Sequence, residues 1–308
     1  MCHVSWRLGY RPKKKMRLIA PGIKATNKIS IVIPVKDNQR GIDRFFASFF
    51  KTQESDSLPL EILIVCDQGS SVHLHRNWLT QAIDIRVLAS DNIGPAAARN
   101  VGWRSAKGEW ILFTDSDCMP APKWLKGYVE ASNGSVGYAA TVLSYGRDFI
   151  SRYYENQGIL TPSMNDDTGA PSPEYLVTAN ALVWKKALEK IEGFNEMIKI
   201  AAGEDIDLSF RLLEIGDLSF AAKSSVFHNF DDGLVGFVKR FRRYGRANRL
   251  LGEMYSLNMK PKGFKPQKRS LSNSILAYLQ YLSMFWGYHS INPKQSARVM
   301  TKEFFFSP

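Results

Sequence analysis

The sequence Asp115-Ser116-Asp117 sets two carboxylates two residues apart, directly after the apolar run WILFT (110–114). Such a pair can share a divalent cation with a pyrophosphate. Mg²⁺ and Mn²⁺ prefer oxygen ligands and often bind through one or two carboxylates plus phosphate oxygens. An isolated Asp-x-Asp serves equally well as a solvated turn or a helix cap, so its setting must decide. Other acids stand in a similar setting: Asp67 follows EILIVC (61–66), and Asp37 follows the apolar run over 30–35. A second group, Glu204, Asp205 and Asp207, opens the segment GEDIDLSFRLLEIG (203–216). At a helix start, acids complement the dipole. Asp207 lies four residues before Arg211 and is expected to pair with it. An acid of this group not so engaged could take a proton as a general base. His228 follows AAKSSVF at a predicted strand end, where a lone histidine is either a packed side chain or a ligand.

These groups need elements to position them. The run over 30–35 is continuously apolar, as expected of a strand buried on both faces of a parallel sheet. Ile42, Phe45, Phe46, Phe49 and Phe50 then recur at helical spacing. EILIVC is the second predicted strand, IRVLA (85–89) the third and WILFT the fourth. Between the last two, Pro95 suits the first turn of a helix running to about Ala106, with Gly108 just past its end. Strands alternating with helices imply a doubly wound, mostly parallel α/β sheet with right-handed crossovers. Ligands of such sheets sit at the carboxyl ends of the strands. Lys36-Asp37-Asn38, Asp67-Gln68-Gly69-Ser70 and Asp115-Ser116-Asp117 all fall there, which favours the metal and phosphate reading over the solvated turn. YLVTANALVW (175–184) reads as a further strand, and the Pro/Asp/Gly-rich stretch from Ser163 to Pro173 as a substrate-facing flap or a mobile loop.

Composition sets the outer limits. A chain of 308 residues with 44% hydrophobic and 12% aromatic content can bury a sizeable core. Its formal net charge of +12 points to anionic partners without choosing among nucleic acid, phospholipid and phosphorylated substrates. Cys2, Cys66 and Cys118 have neither disulfide nor metal-ligand spacing, which fits a reducing compartment. The stretch Ser274 to Tyr288 carries Gln280 and is shorter than the roughly 20 residues a membrane span needs. The expectation is a cytoplasmic protein without a span. Residues 1–27 read as a loose basic arm, 28–235 as the catalytic domain (28–120 and 121–235 as its halves) and 236–308 as a helical basic extension.

The order of motifs resembles the family 2 glycosyltransferases, whose fold is the nucleotide-diphospho-sugar transferase fold (GT-A). ISIVIPVKDN is similar to that family's first strand and turn. EILIVCDQGS is similar to its acidic second strand end, with Gln68 where a second acid is usual. NIGPAAARNVGWRSAKGEWILFTDSD is similar to the Gly-x-x-x-Ala-Arg-Asn segment that leads into Asp-x-Asp. TANALVW, EGFNE, GEDIDLSFRL, VFHNF and RRYG follow in the family's order, so the resemblance spans about residues 28–250. It implies an inverting transfer of a sugar from a nucleotide-sugar to a hydroxyl of a saccharide or lipid-linked saccharide, assisted by Mn²⁺ or Mg²⁺. It further implies that Asp67 binds the base, that Arg99 contacts the nucleotide, and that Pro34 and Lys36 border it. Asp115 is expected near the ribose or metal, Asp117 and His228 as metal ligands, and Asp205 as the catalytic base. Glu204, Asn180 and Arg243 are expected on the acceptor side. Lys36 stands where an aromatic ring often holds the base, which leaves the nucleobase open, with UDP the expectation. A role in surface polysaccharide synthesis is the usual setting of the family.

Two alternatives differ in class. A sugar nucleotidyltransferase would have a Gly-rich, Arg-containing loop after the first strand, where this chain has Lys36-Asp37-Asn38-Gln39-Arg40. A nucleic-acid-binding protein would explain the charge but not the strand-end acids, and no recognisable binding motif is present, so no nucleic acid is expected. Near the C-terminus, Phe237, Phe241 and Tyr244 share one helical face, with arginines around the rest. Together with Tyr278, Tyr281, Phe285 and Trp286, they either contact an anionic membrane peripherally or pack on the catalytic domain.

Overall fold

The computed structural model describes Tyr10, Pro12 and residues 17–79, 83–162, 164–165, 172–230 and 233–291. The first half alternates as its apolar runs require: β1 (Ile29–Val35), α1 (Gln39–Thr52), β2 (Glu61–Cys66), α2 (Arg76–Leu79), β3 (Asp84–Ala89), α3 (Pro95–Ser105) and β4 (Trp110–Thr114). After β4 come β5 (Cys118–Pro120), α4 (Trp124–Glu130), β6 (Gly137–Ser144) and α5 (Phe149–Gln157). A short pair, β7 (Met164–Asn165) and β8 (Ser172–Pro173), precedes β9 (Asn180–Trp184), α6 (Lys185–Lys190), α7 (Glu204–Leu213) and β10 (Leu218–His228). Two long helices, α8 (Gly233–Met254) and α9 (Leu271–His289), follow.

Eight strands make one sheet in the order β3-β2-β1-β4-β9-β6-β10-β5. β3, β2, β1 and β4 are parallel; β9 runs antiparallel between β4 and β6, and β10 is parallel to β6. The sheet is therefore mostly parallel, with helices on both faces, the α/β class expected. The carboxyl ends of β1, β2, β4 and β10 consequently open toward the same edge. Phe45, Phe46 and Phe49 of α1 pack fully buried beneath β1 and β4, and each contributes about 1.5–3 kcal/mol relative to exposure.

Two expectations change. The strand read over 175–184 is confined to Asn180–Trp184, because Thr178 and Ala179 turn, with the Asn180 amide donating to the Val177 carbonyl at 2.9 Å. The N-terminal arm is docked rather than loose where it is described: Leu18 donates to the Ile215 carbonyl, Ala20 and Ile23 are buried, and Tyr10 stacks on Phe210. Of the two readings left open for the C-terminal aromatics, packing holds for the first helix. Phe237 and Phe241 join Tyr153, Tyr154 and Phe230 in one core cluster. The expected flap falls on 163–173, of which 163 and 166–171 lie outside the described residues, as do most of the arm and residues 292–308.

Candidate active site

Register carries the strand-end acids into one crevice. Val35 pairs with Cys66 and Val32 with Phe113, so the turns after β1, β2 and β4 sit side by side. Side chains then tie them together. Asn38 caps α1 by accepting from the Gly41 amide and donates to Ser116 Oγ at 2.9 Å, while Ser70 Oγ accepts from the Asp37 amide. Asp67, nearly buried, accepts from the Gly94 amide at 2.9 Å and meets Lys36 Nζ at 3.2 Å. Gly94 holds φ 108°, a left-handed conformation that disfavours any side chain, and a Cβ there would crowd the Lys199 carbonyl.

At the centre lies Arg99, 3% exposed. Its guanidinium donates to Glu204 Oε1 and to Asp115 Oδ1, each at 2.8 Å. The residue thus bridges the β4 strand end to the start of α7. Burial alone would lower its proton affinity; the charges of Asp115 and Glu204 overcome this and raise it. The neighbouring Asn100 makes the second tie: it donates to the Phe194 carbonyl and accepts from the Phe194 amide at 2.8 Å. The loop before α7 is fixed by these bonds. The Arg-Asn pair of α3 therefore sets where Glu204 and Asp205 stand.

Asp205 is partly open to the cavity yet enclosed by protein. Burial and then the adjacent Glu204 charge push its carboxyl up to about 7, against the pull of Arg99. Burial also pushes Glu204 up. Its Oε2 is buried without a hydrogen-bond partner among the described residues. Asp207 is engaged as its spacing implied, accepting from Arg211 at 2.6 Å and from the Tyr255 hydroxyl at 2.7 Å.

On the other side of the crevice, His228 Nε2 lies 3.4 Å from Asp117 Oδ1. Its Nδ1 is 3.1 Å from the Asn229 carbonyl, an arrangement that suits Nδ1–H donating and leaves the Nε2 lone pair facing Asp117. Asp117, His228 and Cys118 offer donor atoms within 4.8 Å of one another. The carboxylate suits Mn²⁺ or Mg²⁺, and the imidazole, a borderline donor, suits Mn²⁺ better than Mg²⁺. The Cys118 thiol suits neither, because hard cations take oxygen ligands and burial pushes this thiol well up. Burial raises Asp117 too, opposed by His228 and Arg240.

These groups line one cavity of about 540 Å³. Pro34, Lys36, Asp67, Arg99, Asp115, Asp117, Glu204, Asp205, His228 and Arg243, all expected from sequence, border it. Asn180 does not. It is 1% exposed, its Oδ1 accepts from Trp124 Nε1 and the Tyr128 hydroxyl at 2.7 Å, and its Nδ2 donates to the Thr141 carbonyl. Every polar atom is used inside the core, so the acceptor role expected of Asn180 is not supported, and Thr178 and Ala179 reach the cavity instead. Sequence reasoning missed the wall made by Met259, Phe264, Gln280 and Met284. Gln280 carried a signal, a lone amide in an apolar stretch. It is 3% exposed and accepts from the Tyr153 hydroxyl at 2.7 Å.

A mostly parallel sheet with this crevice at its strand ends is the GT-A fold. The model of glycosyl transferase family 2 matches residues 30–192, more than half the chain, and the protein belongs to that family. The pre-mycofactocin glycosyltransferase of Mycobacterium tuberculosis is 27% identical over 226 residues, 70% of this chain and 46% of that protein. The chain thus spans about half the length of that relative. Glycosyltransferase AglE of Haloferax volcanii is 29% identical over 63% of this chain and 64% of its own. Among solved structures, the mannosyltransferase PcManGT of Pyrobaculum calidifontis, in complex with GDP-Man and Mn²⁺, shares the fold at TM-score 0.54, with 13% identity over 93% of this chain and 82% of its own. Family membership sets aside the nucleotidyltransferase and the non-enzymatic alternative.

Proposed function

We propose that this enzyme moves a sugar from a nucleoside-diphospho-sugar, UDP-linked, to a hydroxyl of a saccharide acceptor, free or lipid-linked, with inversion at the anomeric carbon. A place in surface polysaccharide synthesis suits such an acceptor. The observation that carries the reading is the pairing of two chemistries across one cavity: Asp117 with His228 on one side, Asp205 on the other. The complexes of PcManGT with GDP-Man and of the TarS 1-349 fragment of S. aureus with UDP-GlcNAc (TM-score 0.51, 16% identity) support a nucleotide-sugar donor.

In this reading Asp67 accepts from the base, and Lys36 and Pro34 border it. Arg99 holds Asp115 toward the ribose. Asp117 and His228 would hold a divalent cation, with Asp115 nearby; bound there, it would offset charge growing on the leaving diphosphate without proton transfer. Arg240, whose charge pulls against the rise of Asp117, adds positive charge near the diphosphate, and Arg243 borders the acceptor side of the cavity. Glu204 Oε2, buried without a partner among the described residues, accepts from a neighbouring hydroxyl of the acceptor and so orients it, leaving the reacting hydroxyl's one proton to Asp205. Asp205 takes the proton as that oxygen bonds to the anomeric carbon, and the sugar–phosphate bond breaks with its electron pair on the nucleoside diphosphate. Direct displacement needs one base and no glycosyl-enzyme. A carboxyl near 7 suits the task, since a base poised near the working pH transfers protons most effectively.

The test is a panel of UDP-, GDP- and dTDP-sugars with oligosaccharide acceptors, scored for nucleoside diphosphate release with Mn²⁺, Mg²⁺ or chelator. Metal-dependent release from UDP-sugars is the expected outcome. Equal release in chelator would remove the metal from the reading, and a GDP- or dTDP-sugar preference would replace the nucleobase.

A further inference from the structure

The net charge of this chain is not spread over it. Between Gly233 and Ile291 stand eleven lysines and arginines against a single acid, Glu253, whereas the whole chain has a net charge of +12. The same segment exposes an apolar stripe. Along α9, Leu271 (80% exposed), Ile275, Tyr278, Leu282, Phe285 and Trp286 follow one another at spacings of three and four residues, with Trp286 one step on, and so share one face. The opposite face is spent: Leu276, Ala277, Gln280 and Met284 are buried against α5, α8 and the cavity. Basic groups flank the stripe at measured distances. Arg242 lies 3.7 Å from the Trp286 ring centre, and Lys260 Nζ lies 5.8 Å from that of Phe285. Lys260, Lys262, Lys265, Lys268 and Arg269, all exposed, lie on the segment leading into α9.

We propose that this face is a membrane-docking surface for anionic phospholipid, on which α9 lies in the interface plane with its exposed stripe among the acyl chains. The physical chemistry selects that occupant. An apolar stripe bordered by Lys and Arg binds where hydrocarbon and negative headgroups meet. A second copy of this chain would present the same stripe, but pairing would bring two strongly basic regions together. The stripe also covers only about two heptads, short of the three or four a coiled coil needs. Nor does α9 carry a charged residue between Leu271 and Tyr288 to set a register with a partner helix. Insertion across the bilayer is excluded for the described residues, since none of their helices is long and apolar enough to span it. The helix that faces the lipid also lines the cavity with Gln280 and Met284. The active site therefore lies about one helix diameter, roughly 10 Å, from the bilayer surface, within reach of a lipid-linked acceptor.

Flotation of the full chain with phosphatidylcholine vesicles, with or without phosphatidylserine, tests this. Binding should require phosphatidylserine and weaken as salt rises. The variant Leu271→Ser/Ile275→Ser/Tyr278→Ser should lose the apolar contribution, and Lys260→Glu/Lys262→Glu/Lys265→Glu the electrostatic one, each lowering the bound fraction at least about tenfold. Both sets sit at exposed positions, and unchanged thermal melting would certify the fold. Protein left unbound by anionic vesicles at low salt would overturn the proposal, as would equal binding to neutral vesicles. A two-chain mass in solution abolished by the serine variant would reassign the face to self-association. Nucleoside diphosphate release measured without vesicles keeps the two readings apart. Flotation without turnover would defeat the catalytic reading alone, and turnover without flotation the docking surface alone.

Discussion

The cavity has two walls built in different ways. Along the sheet edge, Asp67, Asp115, Asp117 and His228 stand at strand ends or one to three residues beyond, and backbone register fixes their spacing. On the facing side, Arg243, Tyr244, Gln280 and Met284 come from α8 and α9, whose relation depends on tertiary packing alone. These two helices meet backbone to backbone: a Cβ on Gly245 would overlap the Met284 carbonyl, and one on Gly287 the Arg242 carbonyl. In the proposed reaction the sheet wall supplies the nucleotide and metal groups, the base Asp205 standing at the start of α7, and the helical wall supplies the shape an acceptor must fit. Damage to the first should remove turnover with the fold intact; damage to the second should loosen the enzyme and its grip on the acceptor.

The sharpest test of the first wall is Asp117→Ala. The side chain is about one-third exposed and its strand-end position contributes little to packing, so the melting temperature should hold. Turnover should fall by about three orders of magnitude, the scale of losing stabilisation of the leaving group. Wild-type activity should vanish in chelator and return with Mn²⁺ or Mg²⁺. Full activity of the variant would detach this wall from the chemistry.

Asp205→Asn should lower kcat by about 10²–10⁴-fold while UDP binding, followed by calorimetry, survives. The pH dependence adds a signature. With the Asp205 carboxyl pushed up to about 7, wild-type kcat/KM should rise with pH and level off above that value. Stability should run the other way. A carboxyl raised above the unfolded value of about 3.9 holds its proton longer in the folded state, so stability declines as pH rises from about 4 to about 7. Asp205→Asn should therefore melt higher than wild type at pH 8 and equally at pH 4. Loss of turnover in Glu204→Gln with Asp205→Asn active would exchange the roles of the two acids.

Most of the sheet wall was readable from sequence because β1, β2 and β4 are largely apolar runs closed by polar turns, and parallel strands must bring those turns together; β10, with Lys223 and three serines, is no such run, and His228 was assigned by resemblance. The helical wall was not. Apolar spacing in 237–251 and 274–288 showed two helices, but nothing local states that Gly245 and Gly287 cross, or that Gln280 turns inward to Tyr153. Asn180 shows the opposite failure. It was assigned to the acceptor side by resemblance, although an amide flanked by TA and ALVW on an apolar strand fits a buried bonding hub equally well. Only the partners Trp124, Tyr128 and Thr141, distant in sequence, reveal which it is.

Gly287→Leu tests the crossing. Overpacking a closed contact costs about 1–3 kcal/mol or more, and here the backbones themselves must separate. Melting should drop, and KM for the acceptor should rise more than the affinity for UDP falls. An unaltered acceptor KM would show that α9 is no part of the acceptor wall. Asn180→Ala should also destabilise, by about 1–3 kcal/mol, since it strands a buried indole N–H and a phenol hydroxyl. Acceptor KM at a permissive temperature should stay unchanged, whereas a selective rise would return Asn180 to the site.

The smallest effect is expected at Lys36, which stands where the family resemblance leads one to expect an aromatic ring. Its side chain is 63% exposed and its ammonium lies 3.2 Å from the buried Asp67 carboxylate. Exposed ion pairs contribute no more than about 1 kcal/mol, so Lys36→Met should shift UDP affinity by no more than about fivefold and leave melting nearly unmoved. Asp67 keeps its bond from the Gly94 amide and so keeps its orientation toward the base. Calorimetry with UDP and with uridine separates two roles for the lysine. A loss shared by both ligands follows if it acts through Asp67. A loss of a hundredfold or more confined to UDP would mean that Lys36 reaches the diphosphate itself, moving it from the base-binding rim into the phosphate site.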